Sequence, residues 1–302
     1  MSARARRPRS LAARAAGLTA RPAPYGQVNP LQAAVHDGPG PAVVLLHGQP
    51  GTGLDWQWVV PLLTADFTVV VPDRPGYGCT GGPDTGFAGN AAAVLELLDR
   101  LGLGRAVLVG HSWAGGVALQ AAVDHPGRVA GLVLVSSVGP GGAVNWEDRL
   151  LAAPVLGELL AGTAIGGMGL LLGSPPVQNL ARRHLGGRAR DGIVALGRLT
   201  RGPSRVWRSF VAEQRALLDE LEPLAGRIGS ITAPTAIVHG GSDHVVPAGV
   251  SDRLHRDIAG SSRHVLAGAG HLLPHDRPAD VAAAVREVAG RADRAPRPPL
   301  SG

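Results

Sequence analysis

Ser112 stands in the stretch VLVGHSWAGG, residues 107–116, where an apolar run gives way to Gly110 and His111, and then to Trp113 and three small residues. That order reads as a buried strand, a tight turn and a helix. Such a turn forces its central residue into strained backbone geometry and leaves the side chain standing above the end of the sheet. Small neighbours are a condition for it. Gly110 lies two before the serine and Ala114 two after, while Gly115 and Gly116 let the helix close on the strand. The serine also heads a helix, where free backbone N–H groups and the helix dipole favour developing negative charge. A hydroxyl so placed is suited to nucleophilic attack, but at neutral pH it needs a base within hydrogen-bond reach, itself oriented by a carboxylate.

The elements that would position such a group alternate along the chain. AVVLL (42–46), FTVVV (67–71), RAVLV (105–109), GLVLV (131–135), TAIVH (235–239) and RHVLA (263–267) read as strands buried on both faces. Runs of this kind belong to a parallel sheet. AAAVLELLDRLGL (91–103) and VALQAAVDHP (117–126) carry helical spacing between them, and the alternation predicts an α/β fold, a doubly wound, mostly parallel sheet with right-handed crossovers. Residues 140–228 break the rhythm with helix-like pieces, many Gly and Pro and no convincing strand. They are expected to form a helical lid inserted after the strand at 131–135, between core portions 28–139 and 229–292.

Composition narrows the class of function. The 302 residues suffice for one large core, and the formal charge of +6 points at first sight to nucleic acid or an anionic surface. Six of the 29 basic residues fall in the first 24 positions, however, and the 23 that remain balance the 23 acids. The body is therefore neutral, and no nucleic-acid partner is expected. The Arg-rich residues 1–27 and the Pro-rich residues 293–302 read as disordered tails. The first of these lacks the apolar run of a secretory signal. No uninterrupted apolar stretch of membrane-spanning length occurs, since Glu158 and five glycines interrupt residues 156–172. A single Cys79 suits a reducing compartment, and the expected location is cytoplasmic.

The chain resembles the α/β-hydrolase fold superfamily over about residues 40–290. GHSWA (110–114) is similar to the family's GxSxG elbow, with Ala adding one methyl at the last position. Four further segments follow the family's order: LLHGQPG (45–51), DRPGYGCT (73–80), GGSDHVVP (240–247) and GAGHLLPHDRP (268–278). The resemblance implies Ser112 as nucleophile, Asp243 as orienting acid and His271 as base. It implies an oxyanion hole formed by the backbone N–H groups of Gln49 and Trp113, and a His47 that shapes its loop and takes no proton.

Rival assignments fall on chemistry. Some relatives carry the acid after the preceding strand, but SSVGPGGAVN (136–145) holds no carboxylate. His275 lies four residues from His271, yet Pro274 intervenes and the GxGH pattern selects His271. The same proline, and the lack of a third ligand nearby, argue against a metal site. No metal or cofactor is expected. HGQPG and HSW are also similar to the branch holding haloalkane dehalogenases and epoxide hydrolases, whose nucleophile is aspartate. Alkylation of serine would leave an ether that water does not open, and the only tyrosines, Tyr25 and Tyr77, lie outside the insertion.

The expected reaction is therefore hydrolysis of a small or medium apolar carboxylic ester through an acyl-serine. A carbon–carbon bond hydrolase and a cofactor-free haloperoxidase-like perhydrolase share the triad, and a non-catalytic ligand-binding module of the same fold is the reading from another class. Leu156, Leu160, Met168 and Trp207 are the candidate pocket lining. Arg205, Trp207 and Arg208 could meet a substrate carboxylate, or lie on an amphipathic helix with Trp207, Phe210, Val211, Leu217 and Leu218 facing inward.

Overall fold

The computed structural model describes residues 31–82, 85–141, 144–184 and 206–294. Seven strands form one sheet: β1 (Ala33–His36), β2 (Ala42–Leu46), β3 (Thr68–Pro72), β4 (Ala106–His111), β5 (Val129–Val135), β6 (Thr235–Gly240) and β7 (Ser262–Leu266). Their spatial order is β1-β3-β2-β4-β5-β6-β7, with β1 antiparallel to β3 and every other pair parallel. The strands from β2 to β6 are fully buried, as continuous Val- and Leu-rich runs require when both faces are covered.

Alternation along each strand divides the core in two. Val44, Leu46, Val70, Leu108, Leu132 and Leu134 pack with helices α1 (Gly86–Leu101) and α2 (Ala114–Asp124). Val43, Leu45, Val69, Val107, Val109, Val133 and Val135 pack on the other side, against Trp56, Leu63 and the C-terminal helix. The helices of the insertion are α3 (Trp146–Ala152), α4 (Leu156–Ala161), α5 (Gly167–Gly173), α6 (Pro175–His184) and α7 (Val206–Ala225); α8 (Ala248–Asp257) and α9 (Pro278–Arg294) follow it. Gly102, at φ 69°, ends α1 in the left-handed conformation, and Leu103 N–H returns to the Leu98 carbonyl at 2.8 Å.

Three expectations need correction. β1 was not foreseen: AAVH is short, lies on the sheet edge and alternates between half-buried and exposed. RHVLA was expected to be buried on both faces, whereas β7 is the opposite edge strand and is half-buried to exposed. The glycines of residues 156–172 do not break the helix, because α4 runs through a π-helical turn at Gly162–Gly166 directly into α5. By length and composition alone, Leu156–Gly173 is one helical stretch long and apolar enough to cross a membrane. The anticipated disordered tails fall at residues 1–27, outside the described residues, and at 293–302, of which Asp293 and Arg294 belong to α9 and the rest lie outside.

Candidate active site

Ser112 sits between β4 and α2 with φ at 55°, a left-handed conformation uncommon for a residue with a side chain. Three backbone bonds hold it there. Its N–H donates to the Val135 carbonyl at 2.9 Å, and its own carbonyl accepts from Val138 at 3.1 Å and Gly115 at 2.9 Å. The glycines matter for space: a Cβ on Gly110 would meet the Ala114 carbonyl oxygen at 2.5 Å, and one on Gly115 would collide with Ser137.

The loop after β6 carries Asp243, whose Oδ1 accepts from the backbone N–H groups of Val245 (2.8 Å) and Val246 (3.0 Å). Its Oδ2 lies 2.9 Å from His271 Nδ1, and His271 Nε2 lies 2.9 Å from Ser112 Oγ. Burial pushes the Asp243 carboxyl up, but the hydrogen bond with His271 and the two N–H donors outweigh it and hold it at about 2. The ionised carboxylate can only accept, so it draws the proton to Nδ1 and turns the Nε2 lone pair toward the serine hydroxyl. The structure thus brings together Ser112, Asp243 and His271, from loops 28 and 159 residues from the histidine.

His111 supports the histidine loop. It is buried, and desolvation, with the neighbouring His271 second, lowers it to about 3. The neutral ring can therefore donate from Nε2 to the His271 carbonyl at 3.0 Å. Gly48 abuts the elbow: a Cβ there would lie 3.0 Å from Ser112 Cβ. Among the described residues, the N–H groups of Gln49 and Trp113 have no backbone carbonyl partner outside the regular elements. His47 is buried and held well below its ordinary value by desolvation and by Arg74, and its Nε2 accepts from the Arg74 N–H at 3.0 Å.

The expected pocket residues scatter. Leu156 and Met168 are exposed, against the expectation that they line a pocket, because α4 and α5 turn their small residues Gly157, Ala161, Gly169 and Gly173 inward. Leu160 is half-buried. Trp207 packs near Gly162 and lines a cavity of about 280 Å³ with Glu158, Arg208, Val211 and Arg215. Arg208 lies 5.1 Å from the Trp207 ring centroid, and Arg205 lies outside the described residues. On α7, Val211 and Leu217 are buried as expected, while Trp207, Phe210 and Leu218 are half-buried.

Two polar residues escaped the sequence reading. Arg74, in the DRPGYG turn, forms a buried ion pair with Glu213 of α7. Glu213 falls between Phe210 and Leu217 on the inward face of an amphipathic helix, and an acid at such a position is a signal of a buried cationic partner.

This sheet, with a serine at the elbow after its central strand, defines the class. The chain belongs to the alpha/beta hydrolase family, whose sequence profile matches residues 43–284. It is 31% identical to the 2-hydroxy-6-oxo-2,4-heptadienoate hydrolase of Pseudomonas putida over 261 residues, 80% of this chain and 87% of that one. It is 29% identical to epoxide hydrolase A of Mycobacterium tuberculosis, over 82% of this chain and 89% of that one. Among solved structures, a hydrolase from Pseudomonas aeruginosa PA01 superposes with a TM-score of 0.65 at 27% identity, covering 85% of this chain and 93% of that one.

Proposed function

We propose that this protein is a serine hydrolase that cleaves a small or medium apolar carboxylic ester through an acyl-serine intermediate. The observation that carries the reading is the unbroken relay from Asp243 through His271 to Ser112, with 2.9 Å at each link. In the first half-reaction Ser112 Oγ attacks the ester carbonyl carbon and His271 Nε2 takes its proton. The carbonyl oxygen becomes an oxyanion that the N–H groups of Gln49 and Trp113 receive. Collapse of the tetrahedral species breaks the bond to the alkoxy group, which leaves with the proton from His271. Water then enters by the same steps, releasing the acid and restoring the serine. Helices α3 to α7 act as a lid over the triad.

Similarity to an epoxide hydrolase does not carry epoxide opening to this chain. Attack of Ser112 on an alkyl carbon would form an ether, with no carbonyl at which water could release it. Similarity to the Pseudomonas putida enzyme favours a second reading: the same triad cleaving a carbon–carbon bond next to a ketone in an acidic substrate.

The test is intact-mass spectrometry after treatment with a fluorophosphonate, followed by turnover of a panel of esters and vinylogous diketones. One adduct on the parent, lost in Ser112→Ala and His271→Ala, together with ester turnover, supports the proposal. Preference for the diketones selects the second reading. Near-parental turnover by Ser112→Ala removes the serine from the mechanism.

A further inference from the structure

Helix α7 reaches the elbow through a buried guanidinium and through the Trp113 indole. The side chains of Arg74 and Glu213 are 1% and 0% exposed, and they form an ion pair. Arg74 makes further contacts around the elbow. Its Nε donates to the His47 carbonyl at 2.7 Å, its Nη2 donates to the Gly48 carbonyl at 2.9 Å, and its guanidinium lies 4.7 Å from the Trp113 ring centroid. The second carboxylate oxygen of Glu213 accepts from the Tyr77 hydroxyl at 2.5 Å. The Trp113 indole N–H donates to the Glu213 backbone carbonyl at 3.0 Å, and Ser209, one turn earlier on α7, bonds the Gly76 carbonyl at 2.9 Å.

The Gly48 carbonyl and the Gln49 N–H belong to one peptide plane. In a planar trans peptide these two groups point in opposite directions, so a donor that pins the carbonyl also aims the N–H. The guanidinium does so with a charge-assisted bond, beside His47 Nδ1, which donates to the same oxygen at 2.9 Å, and it polarises the peptide and strengthens its N–H as a donor. A carboxylate on the far side of the guanidinium keeps that cation paired; without it a buried charge would be left to find new partners. The other backbone donor, Trp113, is tied to the same residue of α7 through its side chain.

We infer that Arg74 and Glu213 are positioning residues for the oxyanion hole: Arg74 aims the Gln49 N–H through the Gly48–Gln49 peptide, and Glu213 makes that aim depend on the seating of α7. The inference rests on the acyl-serine reading above and adds a coupling to it. The insertion then does more than cover the site, because its longest described helix sets the direction of a donor that acts only on the oxyanion. An effect confined to the transition state lowers kcat and leaves substrate binding alone.

The experiment compares parent, Glu213→Gln, Arg74→Lys and Tyr77→Phe proteins, with Ser112→Ala as the reference for the reaction itself. Glu213→Gln keeps the side-chain shape and removes only the charge, and Tyr77→Phe removes one hydroxyl, so both are suited to fold; cooperative thermal unfolding checks this. Two readouts are taken: kcat and KM on p-nitrophenyl acetate, and the amide proton shift of Gln49 in protein labelled with 15N-glutamine. Complete removal of one oxyanion donor costs about 10²- to 10³-fold in kcat, so a mis-aimed one is expected to cost about 10- to 100-fold with KM little changed. Arg74→Lys is expected to fall at least as far, Tyr77→Phe less, and the Gln49 amide proton to move upfield in the same order. An unmoved Gln49 amide in folded Glu213→Gln and Arg74→Lys overturns the inference, as does parental kcat in both. Should parent and Ser112→Ala turn over substrate equally, the acyl-serine reading fails. The Gln49 shift then still decides whether Arg74 and Glu213 aim that peptide.

Discussion

Ser112 holds a left-handed backbone conformation that costs a residue with a Cβ about 1–3 kcal/mol. The surrounding bonds to Val135, Val138 and Gly115 over-determine it, and the return is a hydroxyl aimed out of the sheet at His271. Asp243 sets the tautomer of that histidine. Because its carboxyl is held at about 2, it stays ionised across the whole working range and adds no ionisation of its own to the pH profile there. kcat/KM of the parent, measured on a neutral ester, is therefore expected to show no break from this carboxylate across about pH 4 to 8, and a fall with the square of proton concentration in that window would count against it. In Asp243→Asn the amide can donate to Nδ1, the histidine takes the wrong tautomer, and kcat is expected to drop by about 10⁴-fold. A loss under tenfold would mean that the carboxylate does not orient the base. These three residues were legible because each lies in a short motif with its own local turn. Arg74 and Glu213 were not, since the pair is separated by 139 positions and neither residue's neighbours name the other.

Strand β4 and helix α2 approach so closely that Gly110 faces the Ala114 carbonyl and the Gly115 Cα. Gly110→Ala would set its methyl 2.5 Å from that carbonyl oxygen and 2.8 Å from that Cα, both main-chain atoms that cannot swing aside. The elbow must then open. Turnover is expected to fall more steeply than stability, which parallel measurement of kcat and thermal midpoint would reveal; parental kcat would mean the elbow tolerates the shift. At this scale the strands from β2 to β6 could be read directly, because burial on both faces leaves unbroken Val and Leu runs. Edge strands give no such signal. In β1 the four residues AAVH are too few to establish a period, and in β7 Arg263 and His264 stand partly in solvent. The helical insertion misled in another way: glycines that ordinarily weaken a helix interior are turned inward in α4 and α5, and larger apolar residues face out.

Across the whole molecule the strand order reverses at β2 and β4. The chain leaves β2 to form β3 on one side, then returns to form β4 on the other. Loops leaving the carboxyl ends of two such strands diverge and open a crevice between them. Gln49 follows β2 and Ser112 follows β4, so the proposed nucleophile and its proposed oxyanion donor flank that crevice. Net charge plays no part in this geometry, because the excess of arginine sits in the first 24 residues and the rest is balanced. A chain lacking residues 1–24 is accordingly expected to keep the kcat and KM of the full chain, while any binding to a polyanion such as heparin that weakens with salt is lost. Unequal catalytic constants for the two chains would tie the segment to the site.

The sequence by itself determined the α/β alternation, the five motifs and the order Ser, Asp, His. Each of these is local: a buried parallel strand, a tight turn and a helix start leave their marks within a few neighbouring residues. Tertiary structure decided which groups stand 2.9 Å apart, which strands form the edges, which face of α4 and α5 is exposed, and that Glu213 of α7 meets Arg74. Those outcomes depend on contacts between residues far apart in the chain, where the free energy of burying a charge or a side chain is set by the partner that packing delivers and not by the residues beside it.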